Sequence, residues 1–206
     1  MCDATVLATA KPVLLREMGE YTARIHAITG DRFGWPTANG AIRGSNRWSE
    51  VIQGLFDEIG KRCVDARLMS QTAAAALLHK VTASHALFDA CTEPRLVHND
   101  LWEPNVLVAN QGDEYVIAGI IDVDRAMFAD REFDFVLWSQ NPHCKAGYGM
   151  SLDPAPEATF RRQLFYALCM FLFCTWAYGV QINKPDLLAR CKAEMETELT
   201  RVLEVP

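Results

Sequence analysis

The run LVHNDLWEPN, residues 96–105, decides the reading of this chain. It continues as VLVAN, then a polar QGDE turn at 111–114, then YVIAGIID ending at Asp122. The segments Asn105–Val108 and Tyr115–Ile121 are β-type runs, and Asn110, Gly112 and Asp113 between them are turn residues. The pattern predicts a β-hairpin. Folding back, it sets Asp122, 17 residues after Asn105, beside the loop that carries His98 and Asp100. A further β-type run, Arg95–Val97, leads into that loop.

Outward from this centre the apolar period is helical. Val13–Ile28 places Leu14, Leu15, Met18, Tyr21 and Ile25 at helical spacing and stops near Gly30. Asp31–Asn46, rich in Gly, Pro and Asn, reads as loop. Trp48–Leu68 and Thr72–Cys91 read as two more helices. Downstream, Asn141–Pro156 reads as loop, with Gly147-x-Gly149 as a turn. A long apolar helix and a charged helix over Pro185–Leu203 follow. The expected class is α+β and mostly helical. It forms one domain over 1–206: helices over 13–94, loop, hairpin and Asp122 over 95–138, and C-terminal helices over 139–206.

Composition sets bounds. The net charge of −6 disfavours nucleic acid as a partner, because phosphate binding wants a basic face. The seven cysteines show no C-x-x-C pair, so a zinc site or disulfide framework has little support, and reduced cytoplasmic thiols are the expectation. The first twenty residues lack the pattern of a signal peptide. Leu164–Ile182 is uncharged and long enough to span a membrane. Gln181 and the Tyr and Cys residues dilute it, and the flanking Arg161, Arg162 and Lys184 give no one-sided bias. It is expected to be a buried helix, with Phe165, Tyr166, Phe171, Phe173, Trp176 and Tyr178 as core, and no membrane is expected.

The loop carries the chemistry. His98-x-Asp100 followed by Asn105 is H-x-D-x-x-x-x-N. Phosphoryl transfer needs an acceptor hydroxyl aimed at phosphorus and the phosphate charge neutralised. Asp100 suits the first task, as a carboxylate that binds the hydroxyl and takes its proton. Asn105 suits the second, as an amide oxygen for Mg²⁺ whose NH₂ braces Asp100. His98 is read as a structural residue, hydrogen-bonded to backbone. Asp122, at the end of a β-type run, is placed to bridge magnesium and the nucleotide phosphates.

The run TEPRLVHNDLWEPNVLV…IAGIIDVDRAMFADREFDF resembles the aminoglycoside phosphotransferase and choline kinase-like family, whose fold is similar to that of protein kinases. LLREMGEYTARIHAITGDRFGWP also looks like that family's helix, and the resemblance runs from Val13 to Trp138. It implies that Asp100 is the catalytic base, that Asn105 and Asp122 hold magnesium and nucleotide, and that Asp134 braces the catalytic loop through its backbone. Asp124 falls where an acidic residue often follows. The antibiotic kinases of the family usually have Gly at the position of Asn99, while choline kinase-like members often have Asn. The implied function is an ATP- and Mg²⁺-dependent transfer to a hydroxyl of a small molecule, with GTP as alternative donor. The implied acceptor site could draw on Asp153, Glu157 or Glu194, each otherwise solvated charge.

The chain reads as the large C-terminal lobe of that fold. No glycine-rich strand-turn-strand precedes Val13, and the early Lys11 has no strand around it. Alone it is expected to show little or no kinase activity, and to self-associate or to accept a partner that donates the β-rich lobe. A non-catalytic, partner-binding remnant and a membrane-anchored protein are the competing readings. His26 and Phe33-Gly34 are read as packing and turn residues. His79 and His85, and the pair His143 and Cys144, are not expected to bind metal.

Overall fold

A computed structural model describes residues 4–112, 114–136, 141–149 and 156–205. Cys2, the turn residue Asp113, Trp138 and the candidate Asp153 lie outside them. The chain falls into two compact units, each discontinuous in sequence: Met1–Gly44 with Glu93–Pro154, and Ser45–Thr92 with Ala155–Pro206.

The first unit holds the loop. Helix α1 is Ala4–His26. It begins nine residues before the expected Val13, because the Ala-rich start favours helix and Pro12 is carried inside it. Strands β1 (Phe33–Pro36) and β2 (Ile42–Ser45) follow. This corrects the loop expected over Asp31–Asn46. Glycine and proline hid two four-residue strands that exist through their pairing. Gly34 is not a turn residue but an extended-strand position at φ 132°, where a Cβ would strike Arg43 O. Strands β3 (Arg95–Val97) and β6 (Met127–Ala129) complete a four-stranded sheet in the order β2-β1-β6-β3. Leu96 lies opposite Phe128 in the antiparallel β3–β6 pair.

The hairpin is present as expected. Strands β4 (Val106–Gln111) and β5 (Glu114–Ile120) pair antiparallel, with a bulge at Leu107/Val108. Its inner face packs on α1 through Leu14, Met18, Leu101 and Ile117, joined by Val106, Tyr115 and Ile120. The Glu17 carboxylate on α1 accepts the Ile117 N–H at 3.0 Å, tying the hairpin backbone to the helix near the bulge.

Helix α5 (Pro142–Tyr148) replaces the loop expected from Asn141. Asn141 caps it by accepting from His143 N at 2.9 Å, Pro142 opens it, and Gly149 closes it at φ 68°. Helices α1 and α5 meet backbone to backbone. A Cβ on Gly19 would lie 2.0 Å from Cys144 O, and one on Gly147 would lie 1.8 Å from Arg16 O. Two glycines on facing helices set this spacing. Cys144 is buried there, which pushes its thiol up to about 11.

The second unit is helical: α2 (Trp48–Asp65), α3 (Gln71–Ala83), α4 (His85–Asp89), α6 (Pro156–Trp176) and α7 (Pro185–Glu204). The single helix expected over Thr72–Cys91 is two, broken at Ser84, which ends α3. A π-helical turn, Ala177–Gln181, extends α6. Trp48 donates its indole N–H to the Tyr166 hydroxyl at 2.8 Å, and Phe88 and Phe56 pack edge-on against Phe165. Burying each such ring contributes about 1.5–3 kcal/mol. His85 hydrogen-bonds Gln53. The apolar helix buries Leu164, Phe165, Tyr166, Leu168 and Leu172, while Phe160 is exposed. Among the described residues, Pro156–Gln181 alone is long and apolar enough to cross a membrane, a test that core helices also pass.

The glycine contact yields a prediction. Gly147→Ala should lower unfolding stability by about 1–3 kcal/mol, since the new methyl displaces Arg16 O or the helix that carries it. Gly54→Ala, in open space on α2, should raise it by about 0.4–1 kcal/mol. Urea unfolding of both variants checks the contrast, and equal effects would refute it.

Candidate active site

The loop hangs between strand and hairpin. Strand β3 delivers His98, and the 3₁₀ turn Glu103–Asn105 delivers Asn105 at the start of β4. Strand β5 ends at Ile120, two residues before Asp122. Backbone bonds then draw the pieces together. Ile121 N donates to Asn105 O at 2.9 Å, and His98 Nε2 donates to Ile121 O at 3.0 Å. The residue before Asp122 is thus tied to both ends of the loop. Because a carbonyl only accepts, Nε2 carries the proton, and the buried Nδ1 has no hydrogen-bond partner among the described residues. His98 is thus hydrogen-bonded to backbone, the contact expected of it from the sequence.

Asn105, almost fully buried, grips Asp100. Its Nδ2 donates to Asp100 O at 2.8 Å and to Asp100 Oδ2 at 3.2 Å. The amide NH₂ is therefore spent on the loop, leaving the side-chain oxygen as the group that could face a cation. Asp100 keeps 32% of its side chain exposed. Its other oxygen lies 3.5 Å from Arg125 Nη1, a partner that sequence reasoning missed because no spacing rule links 100 to 125. Lys11 was also placed only by the fold: on α1, its Nζ pairs with Glu103 in the loop at 2.6 Å. Asp122 is exposed, has no protein partner among the described residues, and sits at φ 65°. Asn99 is likewise left-handed at φ 61°. That conformation costs a non-glycine residue about 1–2 kcal/mol and is tolerated best by Gly and Asn. It gives the physical reason for an Asn or a Gly at this point of the loop. Two strained residues flanking one carboxylate loop are a mark of a functional site.

Asp134 holds the loop from beneath. It lies in the 3₁₀ turn Arg131–Asp134 and is 4% exposed. Its two oxygens accept the backbone N–H groups of His98 (2.8 Å) and Asn99 (2.7 Å). His26 Nε2 donates to it as well at 3.1 Å, and His26 Nδ1 meets the Tyr148 hydroxyl at 3.0 Å. Burial pushes the Tyr148 phenol up, so it keeps its proton. Burial alone would also raise the Asp134 carboxyl. The hydrogen bond and charge of His26 and the two backbone donors outweigh that and hold it below the ordinary value of 3.8. Asp124 is exposed, and Glu157 and Glu194 are exposed on α6 and α7 of the other unit. Among the described residues, no group of three or more His, Cys, Asp or Glu side chains gathers as a metal site.

A carboxyl with a lowered pKa stabilises the fold above its unfolded pKa, and that contribution is lost as pH falls through the folded value. Wild type should therefore lose stability faster below about pH 4 than Asp134→Asn, whose stability at pH 7 should be lower by about 1–3 kcal/mol. Parallel acid slopes in urea titrations of the two proteins would contradict this.

A family model described as phosphotransferase enzyme family (APH) matches residues 3–172. No curated protein matches the sequence. Several solved structures share the fold. A crystal structure of a putative fructosamine-3-kinase from Thermobifida fusca YX-ER1 superposes with TM-score 0.62 at 18% identity, over 90% of this chain and 66% of its own. A thermostable mutant of aminoglycoside phosphotransferase APH(4)-Ia, in its apo form, gives 0.63 at 21%, over 96% and 68%. A GDP complex of an aminoglycoside 2'-phosphotransferase-IIIa mutant gives 0.56 at 15%, over 95% and 63%. The chain thus spans about two-thirds of the length of the structures it matches. Matched over most of its length, residues 3–172, by that family model, the chain belongs to the phosphotransferase enzyme family.

Proposed function

We propose that this chain is the large C-terminal, loop-bearing lobe of a cytoplasmic kinase that moves the terminal phosphoryl group of ATP, or alternatively GTP, to a hydroxyl of a small molecule. The observation that carries this is the Asn105 grip. It fixes the backbone and carboxylate of Asp100 together, while the Asn105 carbonyl anchors Ile121 next to Asp122. In that frame Asp100 accepts the proton of the acceptor hydroxyl. The Asn105 side-chain oxygen and the Asp122 carboxylate are hard oxygen donors suited to Mg²⁺, which takes its remaining ligands from water and phosphate. Two protein ligands are enough for such a site, so a larger carboxylate cluster is not needed. Bound magnesium would neutralise phosphate charge. The chain's own residues bind, orient and take up the proton.

Titrating the chain with ATP, with and without Mg²⁺, tests the reading. Binding should require Mg²⁺, and Asp122→Ala should weaken it by about tenfold or more, the equivalent of ~1.4 kcal/mol. Equal binding by both proteins would remove the proposed site.

A second reading, a partner-binding pseudoenzyme, draws on the hydrophobic side chains around the loop. Trp102, Leu107, Val108, Ile121 and Val123 are all exposed. Several large exposed apolar side chains near one loop favour a surface that another body covers. A second copy or a lobe-donating partner would fit both readings. Size-exclusion chromatography should show self-association that weakens in Trp102→Ser with Leu107→Ser, whereas a monomer at every concentration would leave only the separate partner.

A further inference from the structure

Helices α6 and α7 pack as an antiparallel pair within the second unit, and two contacts fix their register. Near one end the Arg201 guanidinium lies over the Phe160 ring at 5.9 Å. Near the other, a Cβ on Gly179 would stand 3.3 Å from Leu188 Cδ1. Cys174 lies five residues before Gly179, and Cys191 three after Leu188. At about 1.5 Å rise per residue these offsets are ~7.5 and ~4.5 Å, so the two cysteines come level to within about 3 Å. Cys191 shares a face of α7 with Leu188, at i+3. Cys174 lies in the last turn of α6, which runs directly into the π-helical turn that holds Gly179. The two thiols are thus brought to the same level of the pair, and Cys174 is a side-chain hydrogen-bonding neighbour of Cys191.

Their setting differs from that of the buried cysteines. Cys63 and Cys144 are fully buried, with thiols pushed up to about 11. Cys174 and Cys191 are each half-buried, within reach of a small oxidant. Burial raises the Cys191 thiol too, but the hydrogen bond from Cys174 opposes the rise.

We propose that Cys174 and Cys191 are a redox-active dithiol, oxidised by a small-molecule disulfide to a bond that staples α6 to α7. One thiolate attacks a sulfur of glutathione disulfide, forming a mixed disulfide and releasing one glutathione. The second thiolate attacks the protein sulfur of that mixed disulfide and expels the second glutathione. Two protein thiols lose two protons and two electrons, and one glutathione disulfide becomes two glutathione thiols. The staple closes over residues 175–190 and so encloses the π-helical turn.

The test uses the full chain with glutathione disulfide as the oxidant. After oxidation, remaining thiols are alkylated and the protein is analysed by intact mass and peptide mapping. The expected result is loss of two of the seven alkylatable thiols, a mass lower by two hydrogens before alkylation, and one crosslinked peptide joining Cys174 to Cys191. Cys174→Ser should instead hold glutathione as a stable mixed disulfide on Cys191. Seven free thiols after prolonged oxidation, a crosslink mapping to another pair, or a disulfide between two copies would each overturn the proposal. The wild-type map decides the matter whether or not the variant folds.

Discussion

A single buried carboxylate holds the architecture of the loop. Asp134 accepts hydrogen bonds from His26 and from two consecutive backbone N–H groups, His98 and Asn99. Without it those two donors would be stranded away from water, at a cost of about 1–3 kcal/mol each. With it, Asn99 can be held in its left-handed conformation, and the chain turns so that Asp100 follows. His26 reaches Asp134 only because α1 and α5 approach closely enough for Tyr148 to meet the other side of its ring. The glycines between those helices therefore act on the loop from a distance.

Four carboxylates around the loop are distinguished by what faces them. Asp134 is buried and fully satisfied. Asp100 is braced by an amide and faced by a guanidinium. Glu103 is paired with Lys11. Asp122 stands exposed on a strained backbone with no protein partner among the described residues. Asp122 is the most open of the four, while Asp100 combines a fixed position with partial exposure. Roles that look alike on paper are separated by environment, as in sites where neighbouring acids do different work.

Much of this was legible in the chain itself. The β4–β5 hairpin announces itself by two apolar runs around a polar turn, and Arg95–Val97 is a strand as expected. Asp100, Asn105 and Asp122 stand at readable spacing. Strands β1, β2 and β6 do not, because three or four residues carry no period of their own. They become strands through partners far along the chain, Gly34 opposite Phe128 for example. Helix α5 had visible signals, Asn141-Pro142 at its start and Gly149 at its end, which the nearby glycines disguised as a turn. Arg125, Lys11 and Tyr148 join the site through space alone. The pairing of Cys174 with Cys191 is hidden for the same reason: their spacing is meaningful only once two helices lie side by side.

The discontinuity of the two compact units has a consequence for how the chain acquires its shape. The polypeptide begins in one unit, leaves at Gly44, returns at Glu93, and leaves again after Pro154. Neither unit is an autonomous stretch that can close as soon as it is made. The sheet must wait for β6 before β1 and β3 have a common neighbour, and α2 must wait for α6 before Trp48 finds Tyr166. Such long-range closures are slow and leave apolar surfaces uncovered in the meantime. During synthesis the early helices emerge well before the segments they pack against.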